Sequence, residues 1–260
     1  MSAMIAIRYS CFPRGSLKYL FCQNWSKRPV VNSLRVMATS TSDTAFPQNL
    51  KGFGYGFDKE GKLRKLDKIT GEPGEDGFEF RVSEDNDYNQ KHYEALGDVI
   101  TEHVYGLLEE EVDLVKLPVP ASQEQPSTFI FASRDALTTQ SPLLVLVHGS
   151  GVAGKGGGGG RTGAMRRKGL IINHSLDAGT QLPYIKKAKE KGYGVLVLNT
   201  NDNVRRIKGK THRVKASASP VEHLKYVWKN YIQGAKSNQV LMVVHSYGGY
   251  CIVELVSVCP

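Results

Sequence analysis

The sequence predicts an α/β fold, a mostly parallel sheet with helices packed on its faces. Five short apolar runs carry the first half of that reading: LVKLPV (114–119), TFIFAS (128–133), LLVLV (143–147), GVLVLN (194–199) and VLMVV (240–244). They lack the strict polar alternation of a half-covered strand, so they suit strands buried on both faces. Helical segments fall between the later runs, and strand–helix alternation builds an α/β sheet. The chain has 260 residues, 40% hydrophobic and 23% charged, which fits one such domain plus tails.

Residues 1–42 are set apart as a leader, and 43–260 as the domain. The leader holds Arg8, Arg14, Lys18, Lys27, Arg28 and Arg35 with no Asp or Glu, so it carries most of the net charge of +9. A basic, Ser-rich, acid-free start has the composition of an organelle transit peptide. The alternative is an unstructured leader, or an extension upstream of a start at Met37. What remains of the charge makes the body only mildly basic, so net charge is no nucleic-acid signature. No apolar stretch approaches the ~20 residues of a membrane span. Cys11, Cys22, Cys251 and Cys259 show no paired spacing and read as free thiols. No cofactor or metal motif is present.

Within the body, Phe53, Tyr55 and Phe57 alternate as in a strand, DKEG turns the chain, and Lys62 to Leu66 returns. Residues 87–110 read as a helix, because Tyr88, Tyr93, Leu96, Ile100, Val104 and Leu107 fall at helical spacing. A second helix is expected over 179–194 with Thr180 as its cap. A third, over 219–236, starts with a Ser219/Glu222 capping box and Pro220 at its first position.

Two stretches suggest chemistry. Gly149 to Lys155 follows a strand and resembles a phosphate-binding loop, but Gly156 stands where a magnesium-holding Ser or Thr is required. The alternative is an oxyanion loop: in HGSG (148–151) the backbone N–H groups of Gly149 and Ser150 face a developing negative charge. The glycines that follow read as a solvated insertion. The second stretch is VLMVVHSYGGY (240–250), an apolar strand, a tight turn and the start of a helix. This is the setting of a nucleophile elbow, with Ser246 at the bend and the Tyr247 N–H as a further oxyanion donor. Gly248 is in place after the serine, but Val244 replaces the glycine before it, and a branched residue there is expected to strain or open the turn.

A serine needs a base, and the base an orienting acid. The elbow fold supplies both after the serine, whereas this sequence stops at Pro260. Upstream, His148, His174, His212 and His223 with Asp177 and Asp202 are available, in an order that fold does not use. An oxyanion site without a triad retains about 10³–10⁴-fold acceleration over water, so little hydrolase activity is expected.

The segment 205–215 concentrates Arg205, Arg206, Lys208, Lys210, Arg213 and Lys215 without an acid. A nuclear-import tag, an RNA-facing patch and a solvated loop all fit. No aromatic residue interleaves the charges, so base stacking is unsupported.

LKGFGYGF, NQKHYEALGDVI, VLVHGSGV, LIINHSLDAGTQLPYIKKAKEKGYGVLVLN, EHLKYVWKNYI and VVHSYGG follow one another in order. On these segments the body resembles the Arb-two domain family, in particular the group known as family with sequence similarity 172. The resemblance implies an α/β-hydrolase-like fold with its nucleophile at Ser246. It also implies a role between chromatin and splicing through an Argonaute protein and a chromatin remodeller, with nucleic acid reached indirectly at most. Nucleus and cytoplasm are the implied locations, with a mitochondrion as the alternative if the leader is used. Family members continue past this C-terminus, so the chain is expected to be truncated. VLMVV is then expected at an open sheet edge, prone to self-association.

Overall fold

The computed structural model describes residues 6–9, 45–149 and 168–258. Its centre is one sheet of six strands in the order β1-β10-β6-β7-β5-β4. These are β1 (Ala6–Tyr9), β4 (Leu114–Val119), β5 (Thr128–Ser133), β6 (Leu143–Val147), β7 (Gly194–Val197) and β10 (Val240–Val244). Two hairpins stand outside it, β2 (Tyr55–Phe57) with β3 (Leu63–Lys65) and β8 (Val204–Ile207) with β9 (Lys210–Arg213). The helices are α1 (Asn86–Glu110), α2 (Lys168–Asn173), α3 (Leu176–Gly179), α4 (Leu182–Glu190), α5 (Pro220–Val227) and α6 (Tyr247–Val258).

Apolar runs become strands because both sheet faces are covered. Along β6, Leu144 and Leu146 point into a core shared with α1, α2 and α4. Leu143, Val145 and Val147 point the other way, into a core shared with α5 and α6. All five residues of β6 are buried. The chain is therefore a three-layer helix–sheet–helix sandwich. Asp85 caps α1 by accepting from the Asp87 N–H at 2.9 Å. Ser219 caps α5 by accepting from the Glu222 N–H at 3.2 Å, with Pro220 at the first position.

Four expectations need correction. The sheet is mixed rather than mostly parallel: β10, β6 and β7 run together, while β1, β5 and β4 oppose their neighbours. The connection 120–127 between β4 and β5 is too short for the crossover that parallel neighbours need. Next, Ala6–Tyr9 of the leader is a strand. It pairs antiparallel with β10, Ala6 opposite Val243 and Tyr9 opposite Val240, so the expected open edge of β10 is covered. An edge of unpaired N–H and C=O groups offers any extended segment a ladder. Third, the helix expected over 179–194 starts at Leu182, two residues after Thr180, whose hydroxyl accepts from the Leu182 N–H at 3.2 Å. Fourth, the basic segment is a hairpin instead of a loop. Its turn residues Lys208 and Gly209 have φ of 47° and 76°, the positive pair that a tight two-residue hairpin turn requires.

Candidate functional site

The C-terminal ends of β6, β7 and β10 lie side by side, and the chemistry the sequence singles out gathers there. Val244 ends β10 opposite Val147 of β6, and the His245 N–H donates to the Val147 carbonyl at 2.9 Å. Ser246 follows with φ 52°. For a residue with a Cβ that left-handed conformation costs roughly 1–2 kcal/mol. Two turn bonds hold it, Gly248 N–H to His245 O at 3.0 Å and Gly249 N–H to Ser246 O at 2.9 Å. The serine side chain is exposed. The Val244 side chain is buried in the core with Val147, Met242 and Ile252.

Two glycines let the neighbouring backbones touch. A Cβ on Gly248 would meet the Val147 and His148 carbonyl oxygens at 2.8 and 3.0 Å. A Cβ on Gly149 would meet the Ser246 Cβ at 2.8 Å. Of the three expected oxyanion donors, Gly149 therefore lies directly against the serine. Tyr247 opens α6, and a helix start leaves its N–H without an intrahelical partner. Ser150 lies outside the described residues, as do the glycines after it. Asn201 steadies the loop by donating its Nδ2–H to the Gly149 carbonyl at 2.8 Å. No spacing marks this role in advance, because Asn201 sits in the polar run TNDN (200–203) that follows an apolar strand.

The upstream histidines are engaged elsewhere or distant. His223 is fully buried; its Nε2 accepts from the Asn199 N–H at 3.3 Å and its Nδ1 lies 2.9 Å from Ser217 Oγ. An Nε2 that accepts leaves the proton on Nδ1, so Ser217 receives it. The Ser217 hydroxyl in turn donates to the Asp202 carbonyl at 3.1 Å. His148 is also buried, with Nε2 3.5 Å from Thr200 Oγ1. Burial pushes His148 down to about 4 and His223 down to about 3, with the neighbouring imidazole adding to each shift. Both are neutral. His174, Asp177 and His212 are exposed, His174 beside Lys62 and Arg64 in a shallow surface cleft and His212 on the β8–β9 hairpin. Among the described residues, no side chain hydrogen-bonds the Ser246 hydroxyl.

Asp202 is the other buried centre. Its carboxylate accepts from Thr128 Oγ1 at 2.5 Å and from both terminal nitrogens of Arg205, with Nη2 at 2.6 Å. Arg205 is thus withdrawn from the basic cluster, and the other five cations stay exposed. Among the described residues, no group of three His, Cys, Asp or Glu side chains converges as a metal site. No described helix is long and apolar enough to cross a membrane.

The Arb2 domain model matches residues 46–258, almost the whole body. The chain belongs to the Arb2 domain family. Among curated relatives of this Arb2 domain, the cotranscriptional regulator ARB2A homolog of Gallus gallus is 41% identical, over 81% of this chain and 59% of its own length. The human cotranscriptional regulator ARB2A is 39% identical over 81% and 59%. A FAM172 family protein homolog of Caenorhabditis elegans, Y75B8A.31, is 38% identical over 78% and 58%. The chain therefore spans less than two thirds of the length of these relatives. Among solved structures, the histone deacetylase Clr3 is similar to 64% of this chain and 24% of its own, with TM-score 0.40 and 20% identity.

Proposed function

We propose that this Arb2 domain is an interaction scaffold in RNA-linked gene regulation, an α/β-hydrolase-like body that works by surface contacts. The relatives named as cotranscriptional regulators support the regulatory part. The family resemblance supplies the finer one: alternative splicing at chromatin, an Argonaute protein and a chromatin remodeller as partners, and residence in nucleus and cytoplasm. The hydrolase likeness rests on Ser246 at a left-handed bend with Gly149 against it. One observation favours the scaffold over the enzyme: the two buried imidazoles at this end of the sheet, His148 and His223, face Thr200, Asn199 and Ser217 instead of Ser246.

The second reading is a serine hydrolase with Ser246 as nucleophile and the Gly149, Ser150 and Tyr247 N–H groups as its oxyanion hole. The strained, exposed serine favours it, because such strain collects at functional sites. A fluorophosphonate probe separates the two. The scaffold predicts that Ser246 labels no faster than a surface serine such as Ser257, on this chain and on a full-length relative. Fast labelling lost in Ser246→Ala establishes the enzyme instead.

A further inference from the structure

We infer that the β8–β9 hairpin is a phosphate-binding arm through which the protein grips a nucleic-acid backbone directly. This goes beyond the scaffold reading and does not depend on Ser246. The base of the arm is fixed. Arg205 is clamped by the buried Asp202, the Val214 N–H donates to the Asn203 carbonyl at 2.9 Å, and Asn203 Nδ2 donates to the carbonyls of Thr200 and Ser217 at 2.8 and 2.7 Å. Beyond that base every residue from Arg206 to Arg213 is exposed. Among the described residues, no carboxylate pairs with Arg206, Lys208, Lys210, Arg213 or Lys215.

Register sorts these cations. Val204 faces Arg213 and Arg206 faces Thr211, so Arg206 and Arg213 share one face. Ile207 faces Lys210 and Arg205 faces His212, so Lys210 and His212 share the other. Lys208 projects at the turn. Diagonal neighbours across an antiparallel pair, as Arg206 and Arg213 are, stand about 7–8 Å apart, comparable with the separation of neighbouring phosphates on one strand. A two-stranded ribbon is also an element that the major groove of B-form DNA admits. With cations on both faces and at the tip, and no aromatic ring to stack a base, the arm suits sequence-independent backbone contact. An import receptor requires an extended single segment, and pairing with the partner strand withholds one.

The test is fluorescence anisotropy of the full chain with labelled single-stranded RNA, duplex RNA and duplex DNA, across about 50 to 200 mM salt. The arm predicts non-specific binding at about 10⁻⁶–10⁻⁴ M near physiological salt. The variant R206E/K208E/K210E/R213E should bind at least ~10-fold more weakly, with a salt slope flatter by about 2.8–3.6, since each phosphate contact contributes about 0.7–0.9. The tightest of the three ligands identifies which nucleic acid the arm serves. K59E/K68E/K91E/K229E makes the same charge change elsewhere and should bind like the parent chain. If the first variant melts early, K208A/K210A replaces it, with a slope change of about 1.4–1.8. Equal loss in both charge-reversal variants reduces the effect to bulk charge and overturns the proposal. So does unchanged binding in the arm variant, or polyglutamate competing as well as nucleic acid at matched charge. Loss of nuclear accumulation with intact nucleic-acid binding returns the arm to an import signal.

Discussion

Two serines near the C-terminal end of this sheet have opposite equipment. Ser217 has an imidazole at 2.9 Å, yet it is fully buried and its hydroxyl is committed to the Asp202 carbonyl. Ser246 stands exposed on a strained bend with a backbone loop pressed against it, and its hydroxyl has no imidazole. The first pair is a structural tie, because a serine that cannot meet substrate gains nothing from a base. The second is, among the described residues, a presentation without a base. A Ser–His distance alone therefore says little about catalysis; access and proton direction decide. At Ser217 the imidazole gives the proton instead of taking it.

The comparison breaks most severely at Asp202. Asp202→Ala leaves the Arg205 guanidinium and Thr128 without their shared acceptor, and should cost about 3–5 kcal/mol in a denaturant melt. The arm should also lose its fixed base, seen as faster amide exchange across β8 and β9. A loss under about 1 kcal/mol would show that the buried pair is not what holds this region.

Acid should cut the same tie next. His148 and His223 both have folded pKa values below the free value of 6.5. The unfolded chain therefore takes up protons first as pH falls. The stability they confer is whole above about pH 6.5 and drains away toward the folded values, about 4 and about 3. Each should cost about 1 kcal/mol per pH unit in that window. His223→Gln should lower stability at pH 7.5 but flatten the acid slope between pH 6.5 and 4.5. A parallel slope in the variant would move the acid sensitivity elsewhere.

Smaller effects sharpen the Ser246 side. Ser246→Gly should relieve the left-handed strain and raise stability by about 1 kcal/mol, whereas Gly248→Ala should lower it by about 2 kcal/mol through contact with two carbonyl oxygens. A destabilised Ser246→Gly would mean that the bend is not strained. Starting the chain at residue 43 should change melting least. It should nevertheless shift sedimentation from monomer to larger species, because β10 loses β1. A sharp monomer boundary would show that the edge is safe uncovered.

Much of this was legible in the sequence. β4, β5, β6 and β10 match their apolar runs residue for residue, since burial on both faces leaves an unbroken signal. The bend at Ser246 was legible from strand, turn and glycine. Strand direction was not, because a buried run looks alike either way up. The β8–β9 hairpin was hidden by its own charge: both faces meet water, so no alternation marks it. Ala6–Tyr9 was hidden differently, since nothing local makes those four residues a strand. Asn201 and Asp202 were missed in their true roles because capping a loop and anchoring an arm leave no spacing to read.

The pairing of Ala6–Tyr9 with β10 has a practical side. Affinity tags and fusion partners are routinely joined on the amino-terminal side, and any fusion joined just ahead of Ala6 lies close to the outermost ladder of the sheet. A bulky amino-terminal fusion, or a protease that trims the leader, should therefore act on assembly state and not only on purification. Preparations tagged at opposite ends should accordingly be treated as different samples until their masses in solution agree.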